Sequence, residues 1–235
     1  GYFDYNTSVR GLITEMAQSG LGVIEYESGY RRRLDSAARM NVSDGIRSLN
    51  TSYRKIQGEQ FGADGIELSA HALCAPDHLP DQGKQFSNEE FEQLQSSLSR
   101  PFFAMNCHHS SFPIILGVSD PAYSDKELQA YKKSSEKEVE YTTLQKDKDG
   151  NYIKKKTTRY QASQTAQRKI ETNIRQLKDI RNQLSINNDS IGVAEYNKRI
   201  KSKTAYYKKV SEQIGLDPKM DRLRAYSPSG SVTKL

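Results

Sequence analysis

A chain of 235 residues with 35% hydrophobic and 27% charged side chains, no Trp and 14 Tyr is too polar for one large core; compact globules carry about 45–50% apolar residues on a count that includes Gly. Its net charge of +6 is divided, with 10 basic and 15 acidic side chains in residues 1–124 and 25 basic and 14 acidic in residues 125–235. No apolar run approaches the roughly 20 residues that a membrane helix needs, no basic-then-apolar secretory leader is visible, and a first residue of Gly1 suggests a fragment or a processed product.

Residues 5–18 are expected to form a short helix, interrupted by Gly20 and Gly22. Glu25 to Tyr30 reads as a turn closed by Gly29. From Arg31 to Phe61, apolar residues recur at steps of three or four (Leu34, Ala37, Ala38, Val42, Ile46, Leu49, Tyr53, Ile56), which predicts a helix with a kink at Asn41–Asp44. Gly62 and Gly65 end it, and Ile66–Ser69 alternates as a short strand. Residues 70–120 are rich in His, Cys and Pro. Within them Ser87 and Glu90 form a capping box before Phe91 and Leu94, and Ile114–Val118 is expected to be a second strand. Ser124 with Glu127 opens a further helix, to about Lys137.

The last hundred residues read as two hairpins. Residues 139–157 form a β-hairpin turned by Asp149–Gly150, with Val139, Tyr141, Thr142 and Thr143 on one side and Tyr152, Ile153 and Thr157–Thr158 on the other. Arg159–Leu184 and Val193–Ile214 form a helical hairpin whose loop is Ser185–Ser190. Its stripes are Ile170, Ile174, Leu177, Ile180 and Leu184 against Tyr196, Ile200, Tyr207, Val210 and Ile214. Two such helices need a third surface to bury their stripes. The tail Tyr226–Leu235 is polar.

The basic half points to a polyanion or an acidic protein surface as partner. Lys154, Lys155, Lys156, Lys201, Lys203, Lys208 and Lys209 are the candidate contacts to nucleic acid. Such contacts go to phosphates and carry no sequence preference. Lys-rich helices with soluble faces are the competing explanation.

All four His and both Cys fall between residues 71 and 109, as His71, Cys74, His78, Cys107, His108 and His109. Zinc takes four tetrahedral N and S ligands, and two short knuckles from separate segments can supply them. The preferred set is His71, His78, Cys107 and His109, holding one structural zinc, with Cys74 and His108 spare. Two other readings stay open. One is a hydrogen-bonded polar core with the cysteines as small buried side chains. The other is catalysis by Cys107 with a His base, or by the His residues on a phosphodiester. Phosphate-loop, GxGxxG and HExxH motifs are missing.

The runs SGYRRRLDSAARMNV, ELSAHALCAPDH, QGKQFS and MNCHHSSFPIILGVSDPAYS resemble the minor capsid protein 2 family of tailed bacteriophages. The matching positions are Tyr26–Gly29, Arg33–Arg39, His71 and His78, Gln82 and Gly83, then Asn106, Cys107 and His109. A more distant likeness is to Mu-type head-morphogenesis proteins. The family has Arg where this chain has His108, and Cys74 is not a fixed feature of its pattern. The resemblance implies a non-enzymatic virion protein present in few copies inside the head, near the portal vertex, with a passage through the host cytoplasm during assembly. It implies roles in head assembly and in packaging or delivery of the genome. Its partners would be the portal protein, other capsid components, viral double-stranded DNA and further copies of itself. The alternative is a phage-delivered nuclease or toxin-like effector that uses the His/Cys cluster.

The expected architecture is α+β and mostly helical. Residues 1–65 form a helical segment, 66–124 a small His/Cys-rich domain, and 125–235 the basic β-hairpin and helical hairpin with the polar tail.

Overall fold

The computed structural model describes residues 4–5, 7–9, 11–12, 23–25, 27, 29, 31–105 and 107–225. The polar tail, Asn106 and most of the expected helix over residues 5–18 lie outside them. The fold is α+β, with helices and small antiparallel sheets in two compact units, Gly1–Ser135 and Glu136–Leu235.

In the first unit, β1 (Val23–Glu25) pairs with β2 (Arg31–Arg33) across a turn in which Gly29 adopts φ +75°. The short strands on either side of this turn were not legible in its sequence. Helix α1 (Leu34–Gln60) is one continuous element through Asn41–Asp44, so the expected kink does not break it. Asp35 in its first turn accepts from Arg33 Nε at 3.1 Å and complements the helix dipole. Gly62 (φ +72°) and Ala63 close α1 by donating their N–H groups to Glu59 O and Gly58 O, a Schellman arrangement that needs a left-handed residue at this position. The helical period was read correctly, yet only its N-terminal end (Leu34, Ala37, Ala38) is buried; Ile46, Leu49, Tyr53 and Ile56 are exposed.

Strand β3 (Gly65–Leu68) is the centre of a three-stranded antiparallel sheet between β4 (Gln85–Ser87) and β5 (Ser111–Ile114). The expected strand at Ile114–Val118 therefore lies earlier in the chain. Pro113 sits opposite Ile66 on an edge strand, where a missing N–H costs no ladder bond on the open side. Three-residue β4 is too short to show alternation. Helix α2 (Asn88–Ser97) begins at the capping box: Glu90 N–H donates to Ser87 Oγ at 3.2 Å, and Ser87 N–H to Glu90 Oε2 at 2.8 Å. The core beneath holds Leu68, Phe102 and Cys107, flanked by Ile66, Phe86, Phe91, Leu94 and Leu98. Helix α3 (Asp125–Glu136) opens with the same box at Ser124 and Glu127.

In the second unit, β6 (Glu138–Lys146) and β7 (Tyr152–Thr158) form the hairpin, with Asp147 Oδ1 accepting from Asp149 and Asn151 N–H in its turn. Thr158 Oγ1 caps α4 (Arg159–Ala162), which passes through a π-helical turn (Ser163–Gln167) into α5 (Arg168–Ile186). Asp189 caps α6 (Ser190–Gln213), and Met220–Leu223 is one 3₁₀ turn. Ile170, Ile174, Tyr207, Val210 and Ile214 are buried together with Val139 and Tyr141 of β6 and Leu223. The β-hairpin and the segment after α6 thus supply the third surface that two helices lack. They cover one end only: Ile180 at the other end of the stripe is exposed.

Candidate metal centre

Pairing of β3 with β5 continues past Leu68. Ser69 N–H donates to Ser110 O and Ser110 N–H to Ser69 Oγ, both at 2.8 Å. This clamp brings residues 69–71 beside 108–110. The loop between β3 and β4 folds into turns that carry His78 and Gln82 inward, with His78 N–H on Ala75 O and Gln82 N–H on His78 O. Sequence segments 29 residues apart thereby meet.

His78, Cys107 and His109 are each 1–3% exposed, and one ligand atom from each lies within 4.8 Å of the other two. Their surroundings fix which atoms face each other. His78 Nε2 lies 2.7 Å from the Arg100 carbonyl, which only accepts, so Nε2 carries the proton and Nδ1 keeps its lone pair. The backbone N–H of His71 donates to Gln82 Oε1 at 3.0 Å, which orients that amide. Its oxygen then lies 3.4 Å from His109 Nε2, making Nε2 the protonated nitrogen of His109 as well. Both Nδ1 lone pairs converge on Cys107 Sγ, at 3.6 Å from His78 and 3.2 Å from His109. A thiol has one proton and satisfies one of them.

A cation with a thiolate satisfies all three. Zn–S and Zn–N bonds of about 2.3 and 2.0–2.1 Å at a tetrahedral angle put S and N about 3.5 Å apart, between the two observed separations. The outer partners also suit a metal, because ligating imidazoles normally donate their other N–H to a carbonyl or a carboxylate. Burial, and then the neighbouring His71, His78 and His108, push the His109 pKa down to about 3, so the ring is neutral and fit to ligate at neutral pH.

Of the four ligands expected from the sequence, three come together and His71 falls outside the triad. Its ring still lies 4.5 Å from that of His109. His71 Nδ1 donates to Ala72 O at 2.9 Å, which leaves Nε2 as the lone pair; that atom is buried and has no hydrogen-bond partner among the described residues. Cys74 is buried and free, 3.5 Å from His109 Nε2 on the side away from Cys107. Burial, then Cys107 and Asp77, raise its thiol to about 12, so it remains protonated. His108 is exposed, with Nδ1 3.3 Å from an Arg47 guanidinium nitrogen.

Several supports of the site were not foreseen. Asp77 holds Arg100 through two hydrogen bonds of 2.6 and 3.0 Å, fixing the segment whose carbonyl orients His78. Phe102 stacks on the His78 ring at 4.0 Å. A backbone carbonyl acting through the fold leaves no mark in sequence, whereas Gln82 stood beside Gly83 in the motif. Gly83 has φ +72°, and a Cβ there would run into the Leu128 side chain and lie 3.3 Å from Ala70 Cβ. Gly83→Ala is expected to cost about 1–3 kcal/mol. A melting temperature within 1 °C of the parent would contradict that assignment.

The seven candidate lysines divide. Lys154, Lys155 and Lys156 are exposed on β7, Lys154 paired with Glu140 at 3.0 Å. Lys201, Lys208 and Lys209 are exposed on α6, and half-buried Lys203 lies over the Tyr206 ring. Lys201 and Lys208 share a groove.

No curated protein and no solved structure matches the sequence. The family model of phage minor capsid protein 2 matches residues 1–210, which include His78, Cys107 and His109, Gly83, α5 and most of α6. The chain therefore belongs to the phage minor capsid protein 2 family and is a structural protein of the virion.

Proposed function

We propose that this protein sits inside the phage head near the portal vertex. There it serves head assembly and the packaging or delivery of the genome, with its basic half against DNA phosphates. Residues 1–65, 66–124 and 125–235 divide this work into a helical arm, a metal-stapled domain and a basic arm. The centre holds one structural zinc through His78, Cys107 and His109, with His71 Nε2 as the fourth donor. His78, Cys107 and His109, each exposed by only 1–3%, suit a closed structural site rather than a catalytic one with an open position. The portal protein and other capsid components are its protein partners.

The observation that carries the DNA contact is the charge of residues 125–235, 25 basic against 14 acidic side chains, with Lys154, Lys155, Lys156, Lys201, Lys208 and Lys209 turned to solvent. Full-length chain is expected to bind unrelated duplexes with equal affinity. Six to ten phosphate contacts would lose about 10³–10⁵ in affinity between 50 and 200 mM salt. Binding that ignores salt, or no binding at 50 mM, would reject the DNA contact and direct the basic face to an acidic protein surface.

A further inference from the structure

Between α5 and α6 the second unit leaves a groove of about 400 Å³. Lys178 and Arg181 enter it from α5; Lys201, Thr204 and Lys208 enter it from α6. Steps of three and four place each set on one helix face. None of the residues lining the groove is acidic.

Two of these side chains are buried with hydrogen-bonding capacity to spare. Thr204 is 9% exposed, and its hydroxyl has no partner among the described residues. Leaving such a group unsatisfied is unfavourable. Lys178 is 1% exposed, and its ammonium, with three N–H donors, meets one acceptor among the described residues, the Leu223 carbonyl at 2.8 Å. Burial, and then Arg181, push its pKa down to about 8, the response of a buried cation beside a second cation.

We propose that this groove is a phosphate-binding site, in which Lys178, Arg181, Lys201 and Lys208 neutralise one phosphate group and the Thr204 hydroxyl donates to one of its oxygens. A tetrahedral oxyanion offers acceptors in several directions at once, matching point-like ammonium groups on one wall and a guanidinium fork on the other. A DNA phosphodiester and free inorganic phosphate share this chemistry. The assignment of a DNA phosphodiester rests on the DNA contact proposed above; the groove itself does not.

The test uses the full chain and two probes, inorganic phosphate and a 20-base-pair duplex, with the Lys201, Thr204 and Lys208 amides followed by NMR. Inorganic phosphate should shift these amides saturably in the parent and leave them unmoved in Lys201→Gln/Lys208→Gln. Both replaced residues are exposed, and an unchanged melting temperature verifies the fold of the variant. The duplex should bind this variant with a salt slope lower by about 0.9, since one phosphate contact is lost. Thr204→Val, which deletes the hydroxyl and keeps the shape, should weaken phosphate binding without lowering stability. Amides that shift with phosphate but not with duplex would keep the site and reject DNA as its ligand. Amides that shift with neither probe overturn the site, and duplex binding equal in parent and variant would then leave the DNA contact to the other lysines. Phosphate shifts that persist in Lys201→Gln/Lys208→Gln, or that saturate as tightly in Thr204→Val as in the parent, also overturn it.

Discussion

Protein purified without a metal-affinity tag is expected to contain close to one equivalent of zinc, and stripping it should lower the melting temperature of the first unit by about 10 °C or more. Metal affinity for a site that exists only in the folded chain is folding free energy. A loss of only about 3 kcal/mol shifts a domain of this size by roughly that amount. Cys107→Ser should lose the metal and melt like the stripped protein, whereas Cys74→Ser should retain it, because Cys74 lies on the far side of His109. His71→Ala separates a four-ligand site from a three-ligand one: the metal should be retained with weaker affinity if solvent replaces His71 Nε2. Zinc below a tenth of an equivalent, with melting unchanged by chelator, would reject the metal. The metal-free chain should also be acid-sensitive. His109 titrates near 3 when folded and near 6.5 when unfolded, so below pH 6.5 the unfolded chain takes up the proton that the fold refuses. Stability contributed by the neutral ring is complete above pH 6.5 and is lost between about 6.5 and 3, at up to about 1.4 kcal/mol per pH unit. A urea-unfolding series over pH 4–8 measures that slope, and a flat profile would contradict the buried neutral imidazole.

Tyr207→Ala is expected to remove at least about 3–5 kcal/mol from the stability of residues 136–235. Tyr207 is fully buried at the centre of the second core, and deleting a ring in such a place costs about 3–5 kcal/mol, against a total stability of about 5–15. Its hydroxyl adds to this. It donates to Glu171 Oε1 at 2.8 Å and accepts from Lys219 N–H at 2.9 Å, tying α5, α6 and the following segment together. Glu171 is 2% exposed, and burial raises its pKa against the opposing pull of Arg168 and this hydrogen bond. Tyr207→Phe keeps the ring and removes the bond, at about 1–3 kcal/mol. A raised carboxyl pKa means the fold disfavours the charged form, so this unit loses stability as pH rises through the Glu171 titration, and more so in Tyr207→Phe. Denaturation curves should rank parent above Tyr207→Phe above Tyr207→Ala. A Tyr207→Phe curve superimposed on the parent would show that the hydroxyl network does not hold the unit together.

Local chemistry made much of this fold legible. Both capping boxes, at Ser87 with Glu90 and Ser124 with Glu127, lie where the sequence put them, because a cap involves side chains three residues apart and needs nothing from the rest of the molecule. The same holds for the Asp149–Gly150 turn and the two long helices. Strands β1, β2 and β4 were not legible, since three residues are too few for alternation to show. Burial along the helices was not legible for a related reason. A stripe at steps of three or four states which side chains share a face, not what covers it; Ile174 lies in the core that also holds Val139, Tyr141 and Leu223, while Ile46, Leu49, Tyr53, Ile56 and Ile180 meet solvent.

The gathering of every His and Cys into residues 71–109, the division of charge and the family motifs were properties of the sequence alone. Which of those side chains meet was decided by the β3–β5 pairing, a contact between residues more than forty positions apart. Which nitrogen of each ring faces Cys107 was decided by the Arg100 carbonyl and the Gln82 amide. Ligand chemistry belongs to residue type and can be read directly. Convergence of lone pairs depends on the direction of a backbone carbonyl and an amide, and those directions exist only once the chain has folded.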